Sequence, residues 1–194
     1  MTQKIRVADE DLAKLFRREQ ELNRRILEGT LDIDLVLSDL QKLIEGKSFS
    51  PKILKLFIIS SLSLSDCIAL GKYDWVNDHI NEKNFPTKTK RDYEVEYRIF
   101  HLNKYISSES AIAEMEKEGF KPGNILELLK FGDNQPELQR QFPIVALGSV
   151  WRNANDGRIV PVLDYVGGKR KLDLYRFGHD WLDRYRFLGV RNIS

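Results

Sequence analysis

From Ala8 to Ile44 apolar residues recur at helical spacing. Leu12, Leu15, Phe16, Leu22 and Ile26 make a first series, opened by Ala8-Asp9-Glu10 and stopped by Gly29. Acidic residues in a first turn suit the positive end of the helix dipole. Leu35, Val36, Leu40, Leu43 and Ile44 make a second series, capped by Asp32 or Asp34 and stopped by Gly46. The pattern predicts a helical hairpin over residues 1–47, with charge (Arg17, Arg18, Arg24, Arg25) on its other face. A DNA-reading helix-turn-helix also has two helices, but the second one here carries only Lys42 as a basic residue. Packing or oligomerisation is therefore the better reading. Positions 12, 15, 22 and 26 approach a coiled-coil seam, so the hairpin is expected to dock on the rest of the chain or on a second copy.

After a linker at Lys47–Pro51 the pattern changes, and residues 52–194 read as one α+β domain. ILKLFIISSLSLSD is a short buried strand or a core segment, followed by a brief helix that Ser65 or Asp66 caps and Gly71 ends. Tyr93, Val95, Tyr97 and Ile99 alternate with Glu94, Glu96 and Arg98, which marks a half-buried strand. Ser107 and Ser108 cap a helix stopped by Gly119, and Pro122-Gly123-Asn124 turns into another over Ile125 to Phe131.

The last third is β. PIVALGSVWR, RIVPVLDYV, KLDLYRF and RYRFLGVR are apolar, partly alternating runs separated by Asn153–Gly157 and Gly167-Gly168-Lys169. These short connections predict an antiparallel meander over residues 143–191. In FGHDWLDRYRFLGVR a tight turn at Gly178 to Asp183 precedes a closing strand with Phe187 and Leu188 in the core. Trp181, flanked by Asp180 and Asp183, is the aromatic that packing explains least.

One order of elements is more specific than any single motif: SSESAIAEMEKEG, then FKPGN, then ILELLKFG, then short strands ending in YRFLGVR. Over Tyr93 to Arg191 it resembles the bacterial C-type-lectin-like fold of the formylglycine-generating, sulfatase-modifying enzyme family. Gly119-Phe120-Lys121-Pro122 stands where that family has its turn between helices, and Tyr185 to Arg191 where it has its closing strand. The resemblance implies a scaffold that displays a ligand-binding surface on strands and loops. The oxygen-activating members use a cysteine pair near the closing strands, and here no cysteine follows Cys67. The resemblance therefore carries over no thiol chemistry.

Composition narrows the chemistry. The chain has 194 residues, 42% of them hydrophobic, and a formal net charge of +2, so it can bury a core and has no strong overall pull on nucleic acid or anionic membrane. One cysteine excludes an intrachain disulfide, and neither an apolar leader nor a bilayer-length apolar run is present, so a cytoplasmic protein is expected. His79, His101 and His179 are scattered without a metal motif, and Asp74, Asp78 and His79 read better as a capped polar turn. Gly167-Gly168 lacks the helix a phosphate loop needs, and Ser149 lacks a nucleophile elbow and reads as a strand residue. No cofactor or metal is predicted. An enzyme would have to work through His179 with Asp180 or Asp183, and on a strand the adjacent His179 and Asp180 would point to opposite faces.

What stands out from Trp151 onward is arginine and lysine interleaved with Trp and Tyr. Cations beside stacking rings suit sugars, protein ligands or single-stranded nucleic acid. The leading expectation is a non-catalytic binding module for a carbohydrate or protein ligand, using Trp151, Arg152, Tyr175, Arg176, His179, Trp181, Arg184 and Arg186. The alternative is nucleic-acid binding in which Lys169, Arg170 and Lys171 reach phosphates.

Overall fold

The computed structural model describes residues 9–27, 33–45, 54–87, 89 and 91–193, in two compact units divided between Lys52 and Ile53. The first unit holds α1 (Asp9–Leu27) and α2 (Ile33–Ile44). Leu15 and Phe16 of α1 and Leu37 and Ile44 of α2 are exposed, so the apolar period produces helices without burying these residues. Helix α2 already begins at Ile33, so Asp34 lies inside it rather than at its cap. Gly29, Gly46, Asp32 and the Lys47–Pro51 linker lie outside the described residues.

The second unit runs β1 (Leu54–Ile58), α3 (Leu64–Gly71), β2 (Trp75–Val76), β3 (Tyr93–Phe100), α4 (Ser108–Lys117), β4 (Lys121–Pro122), α5 (Ile125–Asn134), α6 (Pro136–Gln141), β5 (Ile144–Val145), β6 (Trp151–Arg152), β7 (Arg158–Val166), β8 (Lys169–Arg176) and β9 (Arg186–Asn192). The chain is α+β, as its pattern predicts. Its strands form one sheet in the order β1-β3-β9-β5-β7-β8-β2, with β4 on β9 and β6 on β7.

Local chemistry sets most boundaries. Ser63, rather than Ser65 or Asp66, caps α3; Asp66 at the third helical position bonds back to it and completes a capping box. Ser107 caps α4, and Gly119 follows with φ +79°. Asn124 caps α5 with Glu127 returning the bond to the Asn124 amide at 2.7 Å. Burial raises the Glu127 carboxyl above its ordinary value, and burial likewise pushes the nearby Tyr93 phenol up to about 12. A raised native pKa means the folded state holds this proton more tightly than the unfolded chain does. The associated stability is complete below the ordinary carboxylate value and is lost as pH rises through the raised one. Glu127→Gln, which keeps the capping geometry, should therefore gain on the wild type in urea midpoints taken from about pH 4 to about pH 8. A difference constant across that range would refute the link.

The meander predicted for residues 143–191 is only partly present. β7 and β8 form an antiparallel hairpin through Gly167 (φ +64°) and Gly168 (φ +76°), as the Gly-Gly turn requires. β9, however, does not return to β8. It lies between β3, antiparallel to it, and β5, parallel to it. The β6–β7–β8 excursion supplies the long crossover that the short turns concealed. β1 is an edge strand with alternating burial, not a buried one. Ser149 lies in the loop after β5, where its Oγ accepts the Ile125 amide of α5 at 2.9 Å.

Both faces of the sheet are covered. Leu188, Ile144 and Leu163 pack with Leu128, Leu129 and Phe131 of α5, while Phe187, Val145 and Val162 pack with Ala111 and Met115 of α4. Period-two alternation therefore feeds two cores, and every position of β7 from Ile159 to Asp164 and of β9 from Arg186 to Val190 is buried.

Arg170, on β8, is buried without a carboxylate on its guanidinium. It donates to Gly71 O (2.7 Å), Gly132 O (2.8 Å) and Gln139 Oε1 (3.0 Å) and lies over the Tyr73 ring. Gly71 closes α3 and Gly132 lies in the last turn of α5, so the cation meets the negative ends of two helix dipoles. Gln139, fully buried on α6, completes the knot by donating to Asp164 O and Lys171 O at 2.9 Å each.

Candidate functional site

The eight residues expected to bind a ligand divide into three groups. Trp181 and Arg186 are structural. Trp181 is 2% exposed and bridges Ile106 through paired backbone hydrogen bonds. Its indole Nε1 donates to Ser108 Oγ at 2.8 Å, and its rings meet Tyr175, Tyr185 and Phe187. The flanking aspartates suggested a surface turn, yet the pairing with Ile106 pulls the indole inward. Arg186 is buried over the Phe142 ring and donates to the carbonyls of Asp183, Arg184 and Tyr185. Burial lowers the Arg186 pKa.

Tyr175 and Arg184 line a separate depression of about 280 Å³ with Tyr165 and Arg140. At its base the buried Asp164 accepts the Tyr175 hydroxyl at 2.6 Å. Burial first, and then that bond, holds the Tyr175 phenol well above its ordinary value.

Trp151, Arg152, Arg176 and His179 do converge, around the loop between β6 and β7. The loop is built by Asn153. Its Oδ1 accepts the amides of Asn155 (3.0 Å) and Gly157 (2.9 Å), while its backbone pairs with Gly157 and Asp156. Asp156 takes the left-handed conformation, φ +57°, that this closure requires. Alternation on the short ladder then separates two chemistries. Trp151 pairs with Ile159, and Arg152 with Arg158.

On one side is a cleft of about 630 Å³ lined by Arg152, Arg158, Arg176 and His179, with Asp156 at its rim. Asp156 holds Arg152 at 2.9 Å, and Glu109 of α4 holds Arg158 at 2.8 Å while Arg158 lies over Phe177. Neither Arg176 nor His179 has a side-chain partner among the described residues. His179 and Asp180, the base and carboxylate that an enzyme reading would pair, are both exposed and make no bond to each other. On the other side is a shelf of about 360 Å³ floored by Trp151, Ile159 and Leu174 and edged by Asn77, Asn153 and Asn155. His79 stacks on Trp151 with centroids 5.1 Å apart. Asn153 and Asn155 belong to both hollows.

His79 and Asn77 escape sequence reading because only tertiary pairing brings them here. β2 runs parallel to β8, the Asn77 amide donates to Leu172 O, and its side chain donates to Asp173. Asp74 goes elsewhere and accepts the Arg170 amide at 2.7 Å, so Asp74, Asp78 and His79 do not act as one cluster. Among the described residues no group of His, Cys, Asp and Glu is placed to hold a metal ion. Of the three basic residues proposed for phosphate contact, Arg170 is committed to the interior; Lys169 is exposed, and Lys171 lies over Trp75. The burial of Arg170 corrects its assignment to a nucleic-acid surface. Compared with known proteins, the chain matches no family model, no curated protein and no solved structure.

Proposed function

We propose that this chain is a non-catalytic binding module whose ligand surface surrounds the Asn153–Gly157 loop, with a carbohydrate as the ligand. The observation that supports it is the junction of an aromatic, amide-edged shelf with an arginine-lined cleft on one self-braced loop. Concave sites of a few hundred Å³ with an apolar floor and a few polar groups suit small ligands. An aromatic face suits the apolar side of a sugar ring, while amides reach its hydroxyls.

The test is an array of neutral and acidic glycans probed with the full chain and with Trp151→Ala. Binding to at least one glycan, lost at least tenfold in the variant, is expected. An array without signal removes the carbohydrate reading. Binding to single-stranded nucleic acid that weakens steeply with salt would instead favour phosphate contacts.

The C-type-lectin-like scaffold belongs to the same proposal, supported by the pairing of Lys121 and Pro122 with Val190 and Gly189, the two segments that carry the resemblance. So does a cytoplasmic setting, supported by the lone Cys67; no helix among the described residues is long and apolar enough to cross a membrane. A second copy covering the exposed Leu15, Phe16, Leu37 and Ile44 is the proposed oligomer, and light scattering of the full chain reads it directly.

A further inference from the structure

We infer that the arginine-lined cleft is an anion subsite, so that the ligand of this surface is an acidic saccharide, one carrying a carboxylate or phosphate group. The inference rests on the carbohydrate reading above and narrows it to a class.

Four features carry it. Arg152, Arg158 and Arg176 reach the cleft from three strands or strand ends, and His179 joins them from the turn after β8. The two arginines with partners are oriented by them, Arg158 by Glu109 and the Phe177 ring and Arg152 by Asp156. Both pairs are exposed, and exposed ion pairs hold their partners weakly, so an incoming anion can displace a carboxylate at little cost. Arg176 needs no displacement, because it has no ionic partner among the described residues. A guanidinium fork matches the paired oxygens of a carboxylate or phosphate, whereas a neutral sugar leaves its charge unanswered.

The geometry also sets the ligand's extent. The cleft and the Trp151 shelf flank the two sides of the β6–β7 ladder and meet only at Asn153 and Asn155. A ligand using both must pass over that loop, which suits an oligomer more than a single sugar ring. The Asn155 side chain and the Asn153 Nδ2 make no hydrogen bond among the described residues and stand at the crossing point.

The experiment titrates the full chain with three probes: inorganic phosphate, a neutral hexose tetramer and a hexuronic-acid tetramer. Backbone amide and side-chain signals are followed by NMR in wild type, Arg176→Ala and Trp151→Ala. The expected result is that phosphate and the acidic tetramer shift the Gly157, Gly178 and His179 amides. Arg176→Ala should weaken both by at least tenfold. Trp151→Ala should weaken the acidic tetramer and leave phosphate unchanged. Acidic-tetramer binding without phosphate shifts would assign the subsite to carboxylates. Neutral and acidic tetramers bound equally, with Arg176→Ala silent, would overturn the anion subsite and leave the carbohydrate reading standing. Phosphate binding in the cleft with no response of the Trp151 indole to either tetramer would keep the anion subsite and overturn the saccharide. Unshifted cleft amides with every probe would overturn the inference outright.

Discussion

Trp181→Ala should destabilise the second unit by about 3–5 kcal/mol, the range for emptying a buried large aromatic site. The indole is among the largest fully buried side chains, and its removal would open a space between Tyr175, Tyr185 and Phe187. It would also remove the donor to Ser108 Oγ, whose own hydrogen goes to Phe177 O at 2.6 Å. Trp181→Phe separates the two effects: it keeps most of the volume and loses the N–H, so a cost of roughly 1 kcal/mol is expected. Urea unfolding of the full chain, followed by circular dichroism, gives both values. A loss below about 1 kcal/mol for Trp181→Ala would return the indole to the surface role its flanking aspartates suggested.

Arg170→Met should cost about 3 kcal/mol or more, because each buried carbonyl left without a donor costs roughly 1–3 kcal/mol. Gly71 O, Gly132 O and Gln139 Oε1 would all lose their partner. Replacing a buried ion pair by apolar residues can be neutral, but only when both halves are replaced; here two of the three acceptors are main-chain atoms and cannot be removed. Arg170→Lys keeps the charge at the helix ends but cannot span three acceptors with one ammonium, so it should fall between wild type and Met. Thermal unfolding of the three proteins orders them. A Met variant as stable as the wild type would mean that water or a shift of α3 satisfies the carbonyls.

The elements that could be read from the chain are those whose signals lie within a few residues of one another. The Ser107 cap, the Pro122-Gly123-Asn124 turn into α5, the Gly167-Gly168 turn and the Tyr93–Phe100 alternation are of this kind, because backbone conformation answers to neighbours. Around Ser63 the chain offers several adjacent cap residues, and sequence gives no way to choose among them. The parallel pairing of β5 with β9 joins positions about forty residues apart and leaves no local trace. The site divides in the same way. Trp151, Arg152, Arg176 and His179 were visible as aromatic and basic residues, but nothing near them distinguished their role from that of Trp181 and Arg186. Charge misled most at Arg170, where the reader of a sequence supplies solvent and the fold supplies carbonyls.

The position of β9 has a consequence for how the protein comes into being. On one side of this strand stands the β1–β3 ladder and on the other the β5–β7–β8 ladder, and β9 is the last strand of the sheet to be synthesised. Without β9 the β1–β3 ladder and the β5–β7–β8 ladder would each lack the neighbour that covers one edge, β3 on one and β5 on the other. Open edges recruit any strand available, including those of neighbouring nascent chains. The sheet closes only when Arg186 to Asn192 joins the two ladders, so a chain cut short before β9 is expected to aggregate through those edges rather than fold.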